Sequence, residues 1–149
     1  MNNEIQKIVN WFNDAKPNPT IEDLCVQIGC HYEEVSEMAE TLGDVDSKKM
    51  LEEDSNYYKG NDHRFLSALT LTINDKESKI KLIDDLCDQI FTAVGVGQLA
   101  GFDMVGALQE VIRSNDSKRL PNGEFLFDEN GKISKKHESF SAPDLRPFI

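Results

Sequence analysis

Two pairs of acidic residues have the spacing of metal ligands carried on helices. Glu34 and Glu37 are three residues apart, and Asp85 and Asp88 repeat that spacing farther along the chain. Residues at i and i+3 share one face of a helix, so each pair sets like charges side by side. Carboxylate oxygens suit Mg²⁺, with Mn²⁺ as the alternative, better than Zn²⁺. The pattern predicts a divalent-cation site made by four carboxylates, and the alternative is that both pairs are solvated helix surface.

The stretches that carry these pairs have helical periodicity. Apolar residues recur at helical spacing over about 4–15, 21–42, 75–99 and 104–113. Thr20, followed three residues later by Asp23, is a candidate capping box, and Asp103 is a candidate N-cap. Asn74 is a candidate N-cap for the longest helix. These signals predict an all-α fold.

Two parts of the chain are less regular in pattern. Within 44–79, Ser47 is a candidate N-cap for a helix that ends at Gly60, and 65–73 is predicted as a short helix because its neighbours are helical. After Ser114 the sequence becomes polar, with two Asx-Gly turns that favour a small hairpin or an ordered loop. We therefore predict one domain over 1–149, with a helical core over about 4–113 and a loop and irregular tail over about 114–149.

Charge restricts the classes of partner. The chain has 149 residues and a net charge of −11, from 27 acidic and 16 basic residues. Such a field disfavours binding to nucleic acids and to anionic membranes. It does not exclude a nucleotide substrate, because bound divalent cations reverse the local sign. We expect no nucleic-acid partner and no membrane partner.

The cysteines and the N-terminal stretch bear on the compartment. Cys25, Cys30 and Cys87 are odd in number and form no C-x-x-C motif, which favours reduced thiols. Cys30 precedes His31, but the other ligands of a tetrahedral zinc site are missing. There is no signal-peptide pattern and no apolar run of membrane-spanning length. These features predict a cytoplasmic protein.

The acidic motifs and their order, together with two later motifs, resemble the MazG-like nucleoside triphosphate pyrophosphohydrolases, relatives of phosphoribosyl-ATP pyrophosphohydrolase. The family pattern E-x-x-E followed by E-x-x-D corresponds to Glu34–Glu37 and Asp85–Asp88, with Asp85 where the family usually has Glu. The stretch 111–118 resembles the family's V-x-x-S-N-x-S-K run, and 130–135 with 142–145 resembles its Gly-Lys and Pro-Asp-Leu tail. The resemblance spans about 33–145.

This resemblance implies a fold and a reaction. The fold is a MazG-like helical bundle with an irregular C-terminal tail, completed by formation of a homodimer or of a tetramer made of two dimers. The reaction is hydrolysis of a (deoxy)nucleoside triphosphate between the α and β phosphorus atoms, giving the monophosphate and pyrophosphate, in nucleotide house-cleaning or pool control. Mg²⁺ would be held by Glu34, Glu37, Asp85 and Asp88. Glu34 ranks ahead of Glu33 as the catalytic base.

The resemblance also implies the residues that contact substrate. Lys118 is the principal phosphate-binding and catalytic cation, with Arg119 beside it and Asn115 contacting a sugar hydroxyl or a phosphate. Lys132 and Lys135 reach the polyphosphate, although each alone also fits a solvated charge run. Phe12 and Asn13 stand where the family presents Phe-His to the nucleoside.

Two other classes of protein are alternatives to this assignment. A di-iron carboxylate bundle needs Glu-x-x-His on two helices, and none of His31, His63 and His137 lies in that frame. The second class is an acidic helical interaction protein, or a nucleotide-binding module without turnover. The net charge and the Asp85 substitution favour this class, and the ordered Lys118 and Lys132 motifs favour the enzyme.

Overall fold

The computed structural model describes residues 4–149, and among these residues the regular structure is helical, with no β-strand. The all-α expectation is confirmed. Six α-helices and one 3₁₀ turn follow in order: α1 Glu4–Ala15, α2 Ile21–Thr41, α3 Val45–Lys59, α4 His63–Asn74, α5 Lys76–Leu99, α6 Met104–Asp116 and the 3₁₀ turn Arg146–Phe148.

Local capping chemistry fixes most helix starts. Thr20 forms the predicted capping box with Asp23, and Asp103 caps α6 through the N–H of Gly106. The predicted cap at Ser47 is wrong, because α3 begins earlier and its N-cap is Asp44. The prediction of Asn74 as a cap is also wrong: Asn74 ends α4. The carboxylate of the next residue, Asp75, accepts from the backbone N–H at position 78.

The chain divides into two compact units. The first unit contains residues 4–17, Ile80–Phe127 and Ile133–Ile149, and the second unit contains Asn18–Lys79 and Asp128–Lys132. Both units are built from segments that are distant in sequence, and each is described by itself below. The expectation of a single domain over 1–149 stays a prediction.

The second unit is built on the antiparallel pair α2 and α3. Gly29 meets Ser55, and Ser36 meets Lys48, so the two helices run in opposite directions. The Ser55 hydroxyl is buried and donates to the Gly29 carbonyl at 2.7 Å. A Cβ at Gly29 would lie 2.8 Å from the Ser55 carbonyl oxygen and 2.9 Å from the Lys59 backbone nitrogen. Glycine therefore permits the close approach that brings Lys59 beside α2.

The first unit packs α1 against α6 and holds the C-terminal tail on α6. Phe148 lies against Gly106, where a Cβ would come within 2.6 Å of its ring. The Asp103 N–H donates to the Phe148 carbonyl at 2.9 Å. Glu110 accepts from Arg113 at 2.7 Å and from the backbone N–H at position 144, and these bonds lower the pKa of Glu110 to about 2. These contacts hold the C-terminal end of the irregular tail on α6.

The predicted hairpin region is a compact loop. Two isolated antiparallel bridges, Arg119 with Phe125 and Phe127 with Ile133, replace a regular ladder. Gly123 has a φ of +87°, which glycine adopts readily, and it lies in the turn of the first bridge. The prediction of an ordered loop after the last helix agrees with this arrangement.

Helix α5 exposes the apolar stripe that its sequence predicts for packing. Every residue from Ile83 to Val94 is exposed. The C-terminal end of α5 contacts α6, where the Met104 side chain lies against the buried Gly97. Ile83 is 63% exposed and Phe91 79%. An isolated helix is only marginally stable in water, and its stability in proteins comes mostly from packing of its apolar face. The exposed stripe is therefore an apolar helix face that gains little stability from burial within the chain.

Within residues 4–149, no single helix is both long and apolar enough to cross a membrane. On length and composition alone, α5 and α6 pass that test together, as a pair bent by 119°.

We predict that Gly29→Ala lowers the free energy of unfolding by about 1–3 kcal/mol, the usual cost of overpacking a tight contact. Urea unfolding followed by circular dichroism measures the loss. Gly95→Ala is the matched control, because nothing lies within 4 Å of a Cβ at that helical position. It should leave stability unchanged or raise it by up to about 1 kcal/mol, as alanine favours helix. Equal stability of the two variants would contradict the proposed close contact.

Candidate functional site: an aromatic groove and a glutamate between two lysines

A groove in the first unit runs between α1 and α6. Its volume is about 140 Å³ and its wall is almost entirely apolar. The Trp11 indole N–H donates to the Asn115 backbone carbonyl at 3.1 Å, which fixes the ring against α6. The lining residues are Ile8, Trp11, Phe12, Leu108, Val111, Ile112 and Asn115. Such a groove suits a planar ring that stacks on aromatic and aliphatic side chains.

The side chain of Asn115 supplies the polar part of the groove wall. Its amide donates to the Val111 carbonyl at 3.0 Å and accepts from the Lys118 ammonium at 2.6 Å. The Lys118 nitrogen also lies 5.7 Å from the centre of the Trp11 ring, within cation–π range. The end of α6 and the turn after it thus bring Asn115 and Lys118, both predicted to contact substrate, to the wall that Trp11 forms.

Cations continue along the same side of the first unit. Arg119 lies 4.7 Å from the centre of the Phe125 ring and forms ion pairs with Asp14 at 2.9 Å and Asp116 at 2.8 Å. Lys16 lies 4.2 Å from the centre of the Phe127 ring. The Arg119 guanidinium is therefore held by two carboxylates and by the Phe125 ring.

Three predicted contacts are not among the residues that line the groove. Phe12 belongs to the groove lining, but the neighbouring Asn13 is exposed and does not. Lys135 lies 5.9 Å from the centre of the Phe140 ring in the tail of the same unit. Lys132 belongs to the second unit. The motif at 111–118 therefore contains residues of the groove wall, whereas the motif at 130–135 does not.

The acidic pairs occupy exposed helix faces. Glu34 and Glu37 are exposed on α2 in the second unit, and Asp85 and Asp88 are exposed on α5 in the first unit. Across residues 4–149, no three or more His, Cys, Asp or Glu side chains form a group that could hold a metal ion. Each helix presents two carboxylates at i,i+3 spacing, and the donor chemistry of the four fits Mg²⁺ or Mn²⁺.

Glu33 is fixed between two lysines of the second unit. Its Oε1 accepts from Lys59 at 3.1 Å, and its Oε2 accepts from Lys132. Partial burial alone would raise the pKa of Glu33, but the hydrogen bonds from the two lysines outweigh burial and lower it. Because a general base works best with a pKa near the operating pH, the lowered pKa argues against Glu33 as the base. The ranking of Glu34 ahead of Glu33 stays a prediction.

A tight turn aims Lys132 at α2. The Asp128 carboxylate accepts from the backbone N–H of Asn130 at 3.0 Å and of Lys132 at 2.9 Å, and Gly131 has a φ of +81°. Partial burial alone would lower the pKa of Lys132, but the bond to Glu33 and nearby acidic groups, Glu34 among them, raise it. The ammonium therefore stays charged beside the Glu34 end of the E-x-x-E motif.

One contact at these sites escaped the sequence patterns. Lys59 and Glu33 are far apart in the chain, and neither belongs to a motif that predicts their contact. The place of Trp11 on an amphipathic helix fits base stacking and core packing alike, and in the structure its ring lines the groove. Comparison with protein-family models, with curated proteins and with solved structures gives no match for this chain.

We predict that the groove binds the base of a nucleotide and that Trp11 reports it. Trp11 is the single tryptophan of the chain, so titration with deoxynucleoside monophosphates should quench its fluorescence in a saturable way. Val111→Phe fills the groove and should weaken binding about tenfold or more, since a stacked base is worth about 1–3 kcal/mol.

The matched control for this titration is Val105→Phe. Val105 lies on the same helix, is 65% exposed and does not line the groove. It should bind as the parental protein does. Saturable quenching of equal affinity in the Val111→Phe variant, or no quenching in the parental protein, would contradict a base site in the groove.

Proposed function

We propose that this protein is a metal-dependent nucleoside triphosphate pyrophosphohydrolase of the MazG-like kind. The observation that carries the proposal is the groove between α1 and α6, where an apolar cavity of about 140 Å³ has Asn115 in its wall and Lys118 bonded to that asparagine. An aromatic wall beside a fixed cation matches a nucleotide, which joins a planar base to an anionic polyphosphate. The resemblance of the ordered motifs supports the same assignment.

The proposed reaction is attack of water on the α phosphorus. The new bond joins the water oxygen to that phosphorus, and the bridging oxygen to the β phosphorus leaves with pyrophosphate. Glu34 accepts the proton of the attacking water, while the Lys118 ammonium offsets the negative charge of the phosphates. Arg119, Lys132 and Lys135 are the further phosphate contacts in this proposal.

The proposed cofactor is Mg²⁺, with Mn²⁺ as its alternative, held by Glu34, Glu37, Asp85 and Asp88. When bound, the cation neutralises phosphate charge that would otherwise repel an approaching nucleophile. Asp85 is shorter by one methylene than the glutamate usual in the resembled family. The protein would supply two exposed carboxylate pairs as ligands, and the helix geometry keeps both carboxylates of each pair on one face.

The proposed partner, besides substrate, is a second copy of the chain, and α5 is the surface that supports it. Its exposed apolar residues follow a 3-4-3-4 spacing along one stripe, the pattern with which helices pair in coiled coils. The stripe consists of Ile80, Ile83, Cys87, Ile90 and Val94. At about 1.5 Å per residue the 24-residue helix offers a surface about 36 Å long. We propose a homodimer, or two such dimers as a tetramer.

We predict release of pyrophosphate when the protein is incubated with NTPs and dNTPs in the presence of Mg²⁺ or Mn²⁺. Glu37→Gln and Asp88→Asn should each reduce turnover about a hundredfold or more, because each removes one charged ligand. Glu40→Gln is the matched control: Glu40 is exposed on α2 but outside the pair, and its variant should keep the parental rate.

Further outcomes of this assay distinguish the alternatives. Lys118→Ala should raise KM, lower kcat or do both. If Glu37→Gln and Asp88→Asn hydrolyse at the parental rate while folded by circular dichroism, the metal ligands are elsewhere. If nucleotides bind at Trp11 but no NTP or dNTP releases pyrophosphate, the protein is instead the nucleotide-binding module without turnover.

We predict a dimer or tetramer at micromolar concentration that depends on the α5 stripe. Ile83→Glu combined with Ile90→Glu should raise the dissociation constant about a hundredfold or more, because burying unpaired charges is costly. Sedimentation velocity over a concentration series measures it. Gln89→Glu adds a charge on the opposite side of the same helix and should leave assembly unchanged. Parental protein that sediments as a monomer at these concentrations would overturn the proposed interface.

A further inference from the structure

Glu33 has contacts that its place beside the E-x-x-E motif does not explain. The side chain is partly buried on α2, with an exposed fraction of 29%, whereas its neighbour Glu34 is exposed. One carboxylate oxygen accepts from Lys59 of α3 and the other accepts from Lys132 of the Asp128–Lys132 turn. Two ammonium groups favour the charged form of the carboxylate and occupy one acceptor site on each of its oxygens.

The turn that carries Lys132 has its own internal order. Asp128 bonds two backbone N–H groups of the turn, and its own N–H donates to the Lys132 carbonyl at 2.9 Å. Gly131, with its positive φ, closes the loop. The turn therefore sets the direction of the aliphatic part of the Lys132 side chain, and the bond to Glu33 sets the position of its ammonium group.

The neighbours of Lys132 define what it can do there. The charged and titratable groups that act on it are Glu33, Glu34 and the thiol of Cys30, all on α2. Burial raises the pKa of the Cys30 thiol, which keeps it neutral at physiological pH. Glu33 is paired with Lys59 as well, so two ammonium groups share this carboxylate. An ammonium group has three N–H donors, and the bond to Glu33 uses one of those of Lys132, which leaves donors for an oxygen of a phosphate.

We propose that Glu33 is a positioning residue, which holds the Lys132 ammonium beside Glu34 so that Lys132 meets the polyphosphate of the substrate. This inference rests on the proposed function and assigns Glu33 a part in it that is neither metal ligand nor base. Lys59 is the second support of Glu33, since it keeps the carboxylate oriented from the α3 side. Lys132 contacts the phosphates, and Glu33 acts only through Lys132.

A double-mutant cycle on KM tests this dependence. Lys132→Ala should raise KM about tenfold or more, the usual cost of one charge-assisted hydrogen bond. Glu33→Gln should raise KM about threefold to tenfold with kcat nearly unchanged, because the ammonium remains but is no longer held. The KM of the double variant should match that of Lys132→Ala within about twofold, since Glu33 has no further effect on KM once Lys132 is absent. If the KM increases of the two single variants multiply in the double variant, the proposal is overturned.

A measurement without turnover separates this inference from the proposed function. In protein with ¹³C-methylated lysines, the NMR signal lost in the Lys132→Ala variant identifies Lys132. Tripolyphosphate should shift that signal, with an affinity about threefold to tenfold weaker in Glu33→Gln than in parental protein, and the pKa of Lys132 should fall in Glu33→Gln. If these NMR results hold but the protein hydrolyses no nucleotide, the proposed reaction is contradicted and the positioning role of Glu33 stands. If the Lys132 signal is unchanged in Glu33→Gln, the positioning role is contradicted and the proposed reaction stands.

Glu52→Gln is the matched control for both measurements. Glu52 pairs with Lys48 at 2.8 Å on α3 of the same unit, so this variant also removes one carboxylate from one lysine. It should change the Lys48 signal and leave KM, the Lys132 signal and the affinity for tripolyphosphate at parental values. A KM effect equal to that of Glu33→Gln would show that loss of any acidic group is enough, and would overturn a specific role for Glu33.

Discussion

The apolar stripe of α5 is the constraint on which the rest of this structure depends. A helix of 24 residues whose apolar side chains are exposed along its length gains little from packing within its own unit. Propensity alone leaves such a helix marginal, so the second copy of the chain proposed above would stabilise it by covering the stripe. Asp85 and Asp88 lie on this same helix. In the proposed assembly, a partner that orders α5 would also order two of the four proposed metal ligands.

The two units contribute different chemistry. The first unit has a groove with aromatic walls, in which the indole N–H of Trp11 is bonded to the backbone of α6 and Lys118 is bonded to Asn115. Both groups are fixed before any ligand arrives, so little ordering cost remains for binding. The second unit has a carboxylate between two ammonium groups, Glu33 with Lys59 and Lys132. In an acidic protein these fixed cations are the features that favour an anionic polyphosphate.

The contrast between Glu33 and Glu34 shows how neighbouring acids take different roles. They are adjacent in sequence, and a helix turns about 100° between them. Glu33 therefore faces α3 and the Asp128–Lys132 turn, where two lysines lower its pKa, and Glu34 is exposed. The close approach of α2 and α3 at Gly29 underlies this difference, because it brings Lys59 of α3 beside α2.

The sequence by itself determined the helices, since apolar periodicity and the caps at Thr20 and Asp103 are local signals. The predictions of Ser47 and Asn74 as N-caps failed, because Asp44 and Asp75 accept the capping hydrogen bonds instead. The sequence also brought Asn115 and Lys118 into one motif, because one helical turn joins them. Only the tertiary structure decided that Lys132 and Lys59 meet at Glu33, that Trp11 forms the wall of a groove, and that the stripe of α5 is exposed. Those outcomes depend on which helices approach each other, and contacts between residues distant in the chain leave no periodic signal in it.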